Sequence, residues 1–237
     1  MKQIFCITFV LASVLLFACE DEDEIEPSLL NYSYDFKNDL EGWTVGFADY
    51  PVGEEDFYEL NSAHMPLPFP LNENKKALMV EGNNHSDDLF MFISKKISGL
   101  DSSTTYDVKF TVELASNYPE SWVGIGGGPG SSVYLKAGIS QTQPQTFEKE
   151  GMWELNMDKG NQSEGGKEML VLGHIGTSRE DEQYVLFTHR QTKENTLTLK
   201  TDKSGEAWLI VGTDSGFEGK TRLYYNKVTV SLKETDD

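Results

Sequence analysis

The chain has 237 residues, with 20 basic and 39 acidic side chains and a formal net charge of -19. Phosphate binding needs a basic surface, so this charge excludes nucleic acid as a partner and disfavours polyanionic substrates. The 13 Phe, 10 Tyr and 4 Trp are too many for a disordered acidic chain, and a folded core is therefore expected.

The first 19 residues have the pattern of an export signal. Lys2 precedes an apolar run, residues 4–18, that is too short to span a hydrocarbon core of about 30 Å. The run ends in Leu-Phe-Ala-Cys at Leu16–Cys19, which resembles the bacterial lipobox, whose cysteine receives the lipid. We predict that residues 1–18 are a lipoprotein signal peptide and that palmitate or a similar lipid on Cys19 holds the chain at the outer membrane. The alternatives are an ordinary signal peptide with an incidental cysteine, or an uncleaved anchor.

An acidic run follows the predicted lipidation site. Six of the seven residues from 20 to 26 are acidic, and residues 19–27 are interpreted as a tether. The run resembles the surface-export signal of one group of Gram-negative bacteria, which implies that the protein faces the cell exterior. The alternative is a solvated spacer on a protein that faces the periplasm. Because Cys6 lies in the signal, Cys19 is the single cysteine of the mature chain and no internal disulfide is expected.

From Ser28 onward the pattern is that of β-strands. In Thr105–Leu114 apolar residues alternate strictly with polar ones, as in a half-buried antiparallel strand. Further runs rich in β-forming residues, separated by polar turns, are Ala77–Glu81, Leu89–Ile97, Trp122–Gly126, Ser132–Ile139, Met152–Met157, Met169–Gly173, Tyr184–His189, Thr196–Lys200 and Ala207–Gly212. We predict a single all-β domain over residues 28–235, an antiparallel β-sandwich of the jelly-roll type.

Both ends of this region resemble carbohydrate-binding jelly-roll modules and their galactose-binding-like relatives. The resemblance rests on three segments: Tyr34-Asp35-Phe36, Leu40-Glu41-Gly42-Trp43 and the closing stretch from Leu223 to Val230. The resemblance implies that the first strand pairs with the last. Residues 46–50 and 82–88 are also similar to secreted bacterial proteins without an assigned activity, and that similarity implies no activity for this chain.

The same resemblance implies a structural calcium ion between the terminal strands. Asp35, Asp39 and Asn226 are the oxygen donors that could hold it. The alternative is that these residues form turns at strand ends. No other cofactor is expected.

A neutral glycan is the predicted ligand, because aromatic faces stack on the C–H faces of sugars while carboxylates accept hydrogen bonds from hydroxyls. The predicted ligand-binding residues are Trp43, Trp122, Tyr134, Trp208, Tyr225, Asp87 and Asp88. Alternation in the final strand places Tyr224 with Val228 in the core, and it places Tyr225 with Lys227 on the opposite, exposed face.

No catalytic motif accompanies these residues, and the chain is predicted not to be an enzyme. The glycine-rich stretch 124–130 lacks the lysine of a phosphate-binding loop and is interpreted as a turn. Residues 134–138 are similar to a strand of jelly-roll alginate lyases, but the other signatures of that family are missing. Two alternatives stay open. One is a lipoprotein without a small ligand, either structural or bound to a cell-surface protein, and the other is a polysaccharide-degrading enzyme that uses paired carboxylates.

Overall fold

The computed structural model, which describes residues 28–86, 88–192 and 196–235, consists of strands joined by turns and loops. The strands are β1 (Leu29–Asp35), β2 (Thr44–Ala48), β3 (Tyr50–Pro51), β4 (Asn61–Pro66), β5 (Lys76–Asn83), β6 (Leu89–Ser98), β7 (Thr105–Ser116), β8 (Val133–Ser140), β9 (Thr146–Lys149), β10 (Met152–Leu155), β11 (Met169–His174), β12 (Val185–Arg190), β13 (Leu197–Lys200), β14 (Glu206–Ser215) and β15 (Lys220–Glu234). In the described ranges no helix is long and apolar enough to cross a membrane.

Two antiparallel sheets face each other across the main core. The seven-stranded sheet has the order β12-β7-β15-β5-β4, with β1 on β15 and β13 on β7, and the five-stranded sheet has the order β11-β8-β14-β6-β2. Alternate residues of both sheets supply the apolar layer between them, such as Phe110 and Val230 from one sheet and Leu135 and Leu209 from the other. The predicted all-β antiparallel sandwich is confirmed.

The terminal strands pair as the resemblance implied. Strand β1 runs antiparallel to β15 from Leu29 opposite Lys233 to Asp35 opposite Lys227. Most of the predicted runs are strands, and the alternating Thr105–Leu114 lies within β7.

The predicted strand at Trp122–Gly126 is wrong, because these residues form a loop. Val123 and Ile125 are 91% and 70% exposed. The backbone of Gly126 has a φ of 69°, and a Cβ atom there would lie 2.1 Å from the carbonyl oxygen of Gly216. The glycines therefore allow a tight loop that packs on the turn after β14. This agrees with the interpretation of residues 124–130 as a turn.

The final strand carries a β-bulge that changes which side chains face the core. Tyr225 lies opposite Leu114, but Lys227 lies opposite the adjacent Glu113, so Asn226 is an extra residue. Alternation is interrupted there, and Tyr225 points into the main core together with Val228. The prediction that Tyr225 stands on an exposed face is therefore wrong.

Tyr224 is buried as predicted, but on the other face of the seven-stranded sheet. It is 3% exposed and packs in a small apolar cluster with Leu67 and Met79. Its ring meets the Tyr184 ring edge-on, with the centroids 5.4 Å apart. This outer face is therefore partly covered rather than open to solvent.

Candidate functional site

The outer face of the five-stranded sheet carries a buried ion pair. Lys136 in β8 and Asp214 in β14 have fully buried side chains, with 2.8 Å between Lys136 Nζ and Asp214 Oδ2. Asp214 Oδ2 also accepts hydrogen bonds from Lys159 Nζ at 2.9 Å and from the backbone amide of Gln162 at 3.0 Å. Two lysines therefore share one carboxylate, and the charge of Asp214 is fully compensated.

A covering segment, residues 152–168, folds over this face and buries the pair. Its Leu155 and Met157 pack on Phe90, Phe92 and Ile210 of the sheet. Lys136 Nζ ties the segment down by donating to the carbonyl oxygens of Lys159 and Glu164, both at 2.9 Å. Lys136 thus uses all three ammonium donors on fixed acceptors.

Glu168 fixes the far end of the covering segment. Its carboxylate accepts hydrogen bonds from the Asp158 amide at 2.9 Å and from the Ser140 hydroxyl of the sheet at 2.7 Å. The Asp158 carboxylate in turn accepts the amides of Gly160 and Lys167. The turn that presents Lys159 is therefore held by hydrogen bonds at both sides.

Lys159 is the centre of the cluster. Its Nζ lies 3.0 Å from Asp49 Oδ2, 3.8 Å from Asp88 Oδ1 and 5.2 Å from the centroid of the Phe90 ring. Asp49 follows β2 with a φ of 63°, a left-handed conformation that Asp tolerates better than most residues. One carboxylate oxygen from each of Asp49, Asp88 and Asp214 lies within 4.8 Å of the other two. The ammonium groups of Lys159 and Lys136 already neutralise much of this negative charge.

A cavity of about 370 Å³ opens beside the cluster. The residues that line it are Asp49, Ser86, Asp88, Met152, Glu154, Leu155, Met157, Asp158, Lys159 and Gly160. Asp88 Oδ1 is buried and accepts no hydrogen bond from the described residues. The cavity thus combines a carboxyl group that is 45% exposed and a lysine ammonium with an apolar wall.

The environment separates the pKa values of the carboxylates. Burial raises the pKa of Asp88 to about 7. The negative charges of Asp214 and Asp49 add to this increase, and the positive charge of Lys159 opposes it. Burial likewise raises the pKa of Asp49. Although burial opposes it, the two lysines hold the pKa of Asp214 below its usual value. The pKa of Asp88 therefore lies closer to neutral pH than that of an ordinary aspartate.

The pKa values of the two lysines shift in opposite directions. Burial lowers the pKa of Lys136 despite its contact with Asp214. The pKa of Lys159 is raised, because Asp214, Asp49 and Asp88 together outweigh its burial. Lys159 is therefore the permanent positive charge at the cavity.

Two of the predicted aromatic platforms are core residues. Trp43 is 2% exposed and packs edge-on against Tyr34 and Phe36, and Tyr225 is 1% exposed. Neither ring presents a face to solvent. Both predictions are corrected: Trp43 follows a turn that directs it under β1, and the bulge at Asn226 turns Tyr225 inward.

The other predicted site residues lie in two places. Trp208 and Tyr134 are half-buried on the outer face of the five-stranded sheet, the face that carries the cluster; Tyr134 lies opposite Asp214. Asp88 lines the cavity, and Asp87 lies outside the described residues. Trp122 is 40% exposed and precedes the glycine-rich loop.

The predicted calcium ligands take part in local hydrogen bonds. Asp35 and Asp39 are exposed, and each accepts a hydrogen bond from the backbone amide two residues later. Asn226 is buried and donates a hydrogen bond from Nδ2 to Glu113. The two aspartates thus have the turn-forming role that was the alternative, and the calcium site stays a prediction.

Sequence reasoning missed Lys136, Asp214, Lys159 and Asp49. A signal for the first two was present, because Lys136 is the one charge in β8 and Asp214 closely follows the apolar run 207–212 of β14. A buried charge requires a partner of opposite sign. Lys159 and Asp49 lie in turns among many other charged residues, and nothing in the sequence distinguishes them.

Fold and site together define an antiparallel β-sandwich with a charged cavity on the outer face of its five-stranded sheet. No protein-family model matches the chain, and no curated protein matches it.

Solved structures give only distant similarities. A carbohydrate-binding module bound to β-1,4-galactotriose matches with 8% identity and a TM-score of 0.35, over 79% of this chain and 86% of that one. A module with specific mannan recognition matches with 12% identity and a TM-score of 0.38, over 88% and 99%. An adhesin domain of the Lys-gingipain of Porphyromonas gingivalis matches with 10% identity and a TM-score of 0.38, over 86% and 99%. Similarities this low carry no argument about function.

Proposed function

We propose that this protein is a lipid-anchored outer-membrane protein, facing the cell exterior, whose β-sandwich binds a neutral glycan in the cavity beside Lys159. The observation that carries the proposal is the convergence of Asp88, Asp49 and Lys159 on one cavity of about 370 Å³. This volume lies within the usual range for small-molecule sites, and a few fixed polar groups against an apolar wall are typical of them.

The chemistry of the lining favours sugar hydroxyls. A hydroxyl can donate to the Asp88 carboxylate, whose side chain is 45% exposed, while Met152 and Leu155 contact C–H groups. Carboxylates outnumber the single lysine in the lining, so uronate or sulfate groups would be repelled. Trp208 and Tyr134 stand on the same sheet face and could extend the contact along a longer chain.

A glycan array probed with the soluble chain from residue 27 onward tests the proposal. We expect retention on neutral and not on uronic or sulfated glycans. Asp88→Asn should weaken binding by about tenfold, because a charged acceptor is replaced by an amide. Asp202→Asn, an exposed aspartate in a turn, is the matched control and should bind like the wild type. If no neutral glycan is retained, the proposal fails and the structural or protein-binding alternative gains support.

Glycoside hydrolysis is a second candidate function, because one observation favours it. Asp49 and Asp88 hold carboxylate oxygens within 4.8 Å, and burial raises the pKa of Asp88 to about 7. Retaining glycosidases place two carboxyls about 5 Å apart and raise the pKa of one of them. Release of reducing ends from the retained glycans, lost in Asp88→Asn, would favour this function over binding alone.

The anchor rests on the sequence of residues 1–27, which lie outside the described residues. The fold supports presentation of the cavity away from an anchor at Cys19. Strand β1 begins at Leu29, opposite Lys233 near the end of β15. The cavity lies near the other end of β15. Asp214 of the cluster precedes Ser215, whose carbonyl oxygen accepts a hydrogen bond from Asn84, and the Asn84 amide donates to Gly219, directly before β15 begins. The length of β15 therefore separates the N-terminal entry of the sandwich from the cavity.

Metabolic labelling with palmitate tests the anchor. Wild-type protein should be labelled and Cys19→Ala should not, because the thioether forms on that sulfur. Replacing residues 20–24 by alanine should leave labelling intact but remove protease accessibility on whole cells. Equal labelling of Cys19→Ala would rule out the lipoprotein, and unchanged accessibility would rule out the acidic run as the export signal.

A further inference from the structure

A second cavity, of about 300 Å³, lies on the opposite side of the molecule. It opens on the outer face of the seven-stranded sheet, between the ends of β5 and β7 and the start of β15. Among its lining residues are Asn117, Tyr118, Glu182, Tyr184 and Arg222. The cluster around Lys159 contributes none of them, so this cavity is separate from the candidate site.

Polar groups in this cavity have capacity left for a ligand. Arg222 donates from Nε to Glu81, and within the described residues its two terminal nitrogens make no hydrogen bond. Asn117 donates from Nδ2 to the carbonyl oxygen of Glu182 at 3.3 Å, but its Oδ1 is buried and accepts no hydrogen bond from them. Because Asn117 Oδ1 is buried, the terminal nitrogens of Arg222 are the donors that a ligand in the cavity can reach.

The aromatic wall of the cavity is held in position. Tyr118 donates from its hydroxyl to the carbonyl oxygen of Lys220 at 3.0 Å and accepts the Arg222 amide at 2.8 Å. Tyr184 is half-buried, and the edge-on contact with Tyr224 fixes the orientation of its ring. An ordered, partly exposed tyrosine beside the unused donors of Arg222 offers both a stacking surface and fixed polar contacts.

The charges select the class of ligand. Arg222 is balanced by Glu81, and Lys220 is balanced by Glu59, with 2.7 Å between Lys220 Nζ and Glu59 Oε2. Within the lining, Arg222 and Lys220 are matched by Glu81 and Glu182, so the cavity has no net charge and gives an anionic ligand no net attraction. A neutral pyranoside can accept hydrogen bonds from the Arg222 guanidinium and stack a C–H face on Tyr184.

We infer that this cavity is a second site for a neutral sugar, independent of the first. Because the two sites lie on opposite sheets, one short oligosaccharide cannot occupy both. Two sites of this kind would bind two glycan chains or two branches, and surface avidity would exceed the affinity of either site.

The test uses the isotope-labelled mature chain with Cys19→Ser, titrated with methyl β-galactoside, methyl α-mannoside and methyl β-glucoside, and with methyl β-glucuronide as the anionic comparison. At least one neutral glycoside should shift the amide signals of Asn117, Tyr184 and Arg222, and the glucuronide should not. Tyr184→Ala should weaken this binding about tenfold. Arg222→Lys, which keeps the charge but removes the planar donor pair, should weaken it similarly.

Asp88→Asn separates the two sites, because it should leave the shifts at Asn117 unchanged. If no neutral glycoside shifts the signals of Asn117, Tyr184 and Arg222, the second site is refuted, whatever happens at the first. Shifts confined to this cavity would support the second site and refute the site beside Lys159. Shifts that are equal in wild type, Tyr184→Ala and Arg222→Lys would also refute the second site, since they would arise elsewhere.

Discussion

Asp214→Asn is expected to lower the free energy of unfolding by about 3–5 kcal/mol, because it leaves buried ammonium groups without their counter-charge. Asp214 is fully buried and accepts hydrogen bonds from both Lys136 and Lys159. Lys159 retains Asp49 as a partner at 3.0 Å. Lys136 keeps only two carbonyl oxygens, and its charge is then uncompensated in an apolar layer.

Urea unfolding of wild type, Asp214→Asn, Lys136→Met and the double variant measures this effect. The double variant should be more stable than Asp214→Asn alone, with a coupling energy of about 1–3 kcal/mol, because the unpaired ammonium is removed with its partner. Asp202→Asn is the exposed control and should lie within about 0.5 kcal/mol of wild type. A loss in Asp214→Asn no larger than in that control would show that the pair is not buried in solution.

The sign of the pH dependence follows from the lowered pKa of Asp214. A carboxyl whose pKa is lower in the folded than in the unfolded chain stabilises the fold above the unfolded value of 3.8. That contribution is lost as the pH falls through the folded pKa. The difference between wild type and Asp214→Asn should therefore shrink at pH values below 3.8.

Much of the fold could be predicted from the sequence, because one face of many strands is buried and the other is not. The strict alternation in Thr105–Leu114 corresponds to β7, which pairs with the long final strand. The run at Trp122–Gly126 has similar apolar content, but its tight glycine contacts with the turn after β14 are tertiary and leave no local pattern. Composition alone could not distinguish that loop from a strand.

The candidate site was less predictable, because its residues come from distant segments. Asp88 was identified from its polar neighbours, and it lines the cavity. Asp49 and Lys159 are 110 positions apart in the chain and meet only because residues 152–168 fold over the sheet. Lys136 and Asp214 could have been paired by charge, since each lies in or directly beyond an apolar run and the two strands are neighbours.

The final strand shows how one residue reverses an argument from alternation. Before Asn226 the inward residues have odd numbers, as in Leu223 and Tyr225, and after it they have even numbers, as in Val228. Asn226 has no special sequence signal for a bulge. Its Nδ2 donates to Glu113 on the neighbouring strand, a contact that only the paired sheet reveals.

Tyr225→Ala is accordingly expected to destabilise the fold by about 3–5 kcal/mol, as for other large aromatic side chains removed from a core. Its ring is 1% exposed, and the residue lies opposite Leu78 and Leu114 in the main core. Phe147→Ala, at a ring that is 42% exposed in β9, is the control and should cost less than about 1 kcal/mol. Urea unfolding again gives the measurement. Equal losses in the two variants would place Tyr225 on the solvent face, as uninterrupted alternation would require, and would argue against the bulge at Asn226.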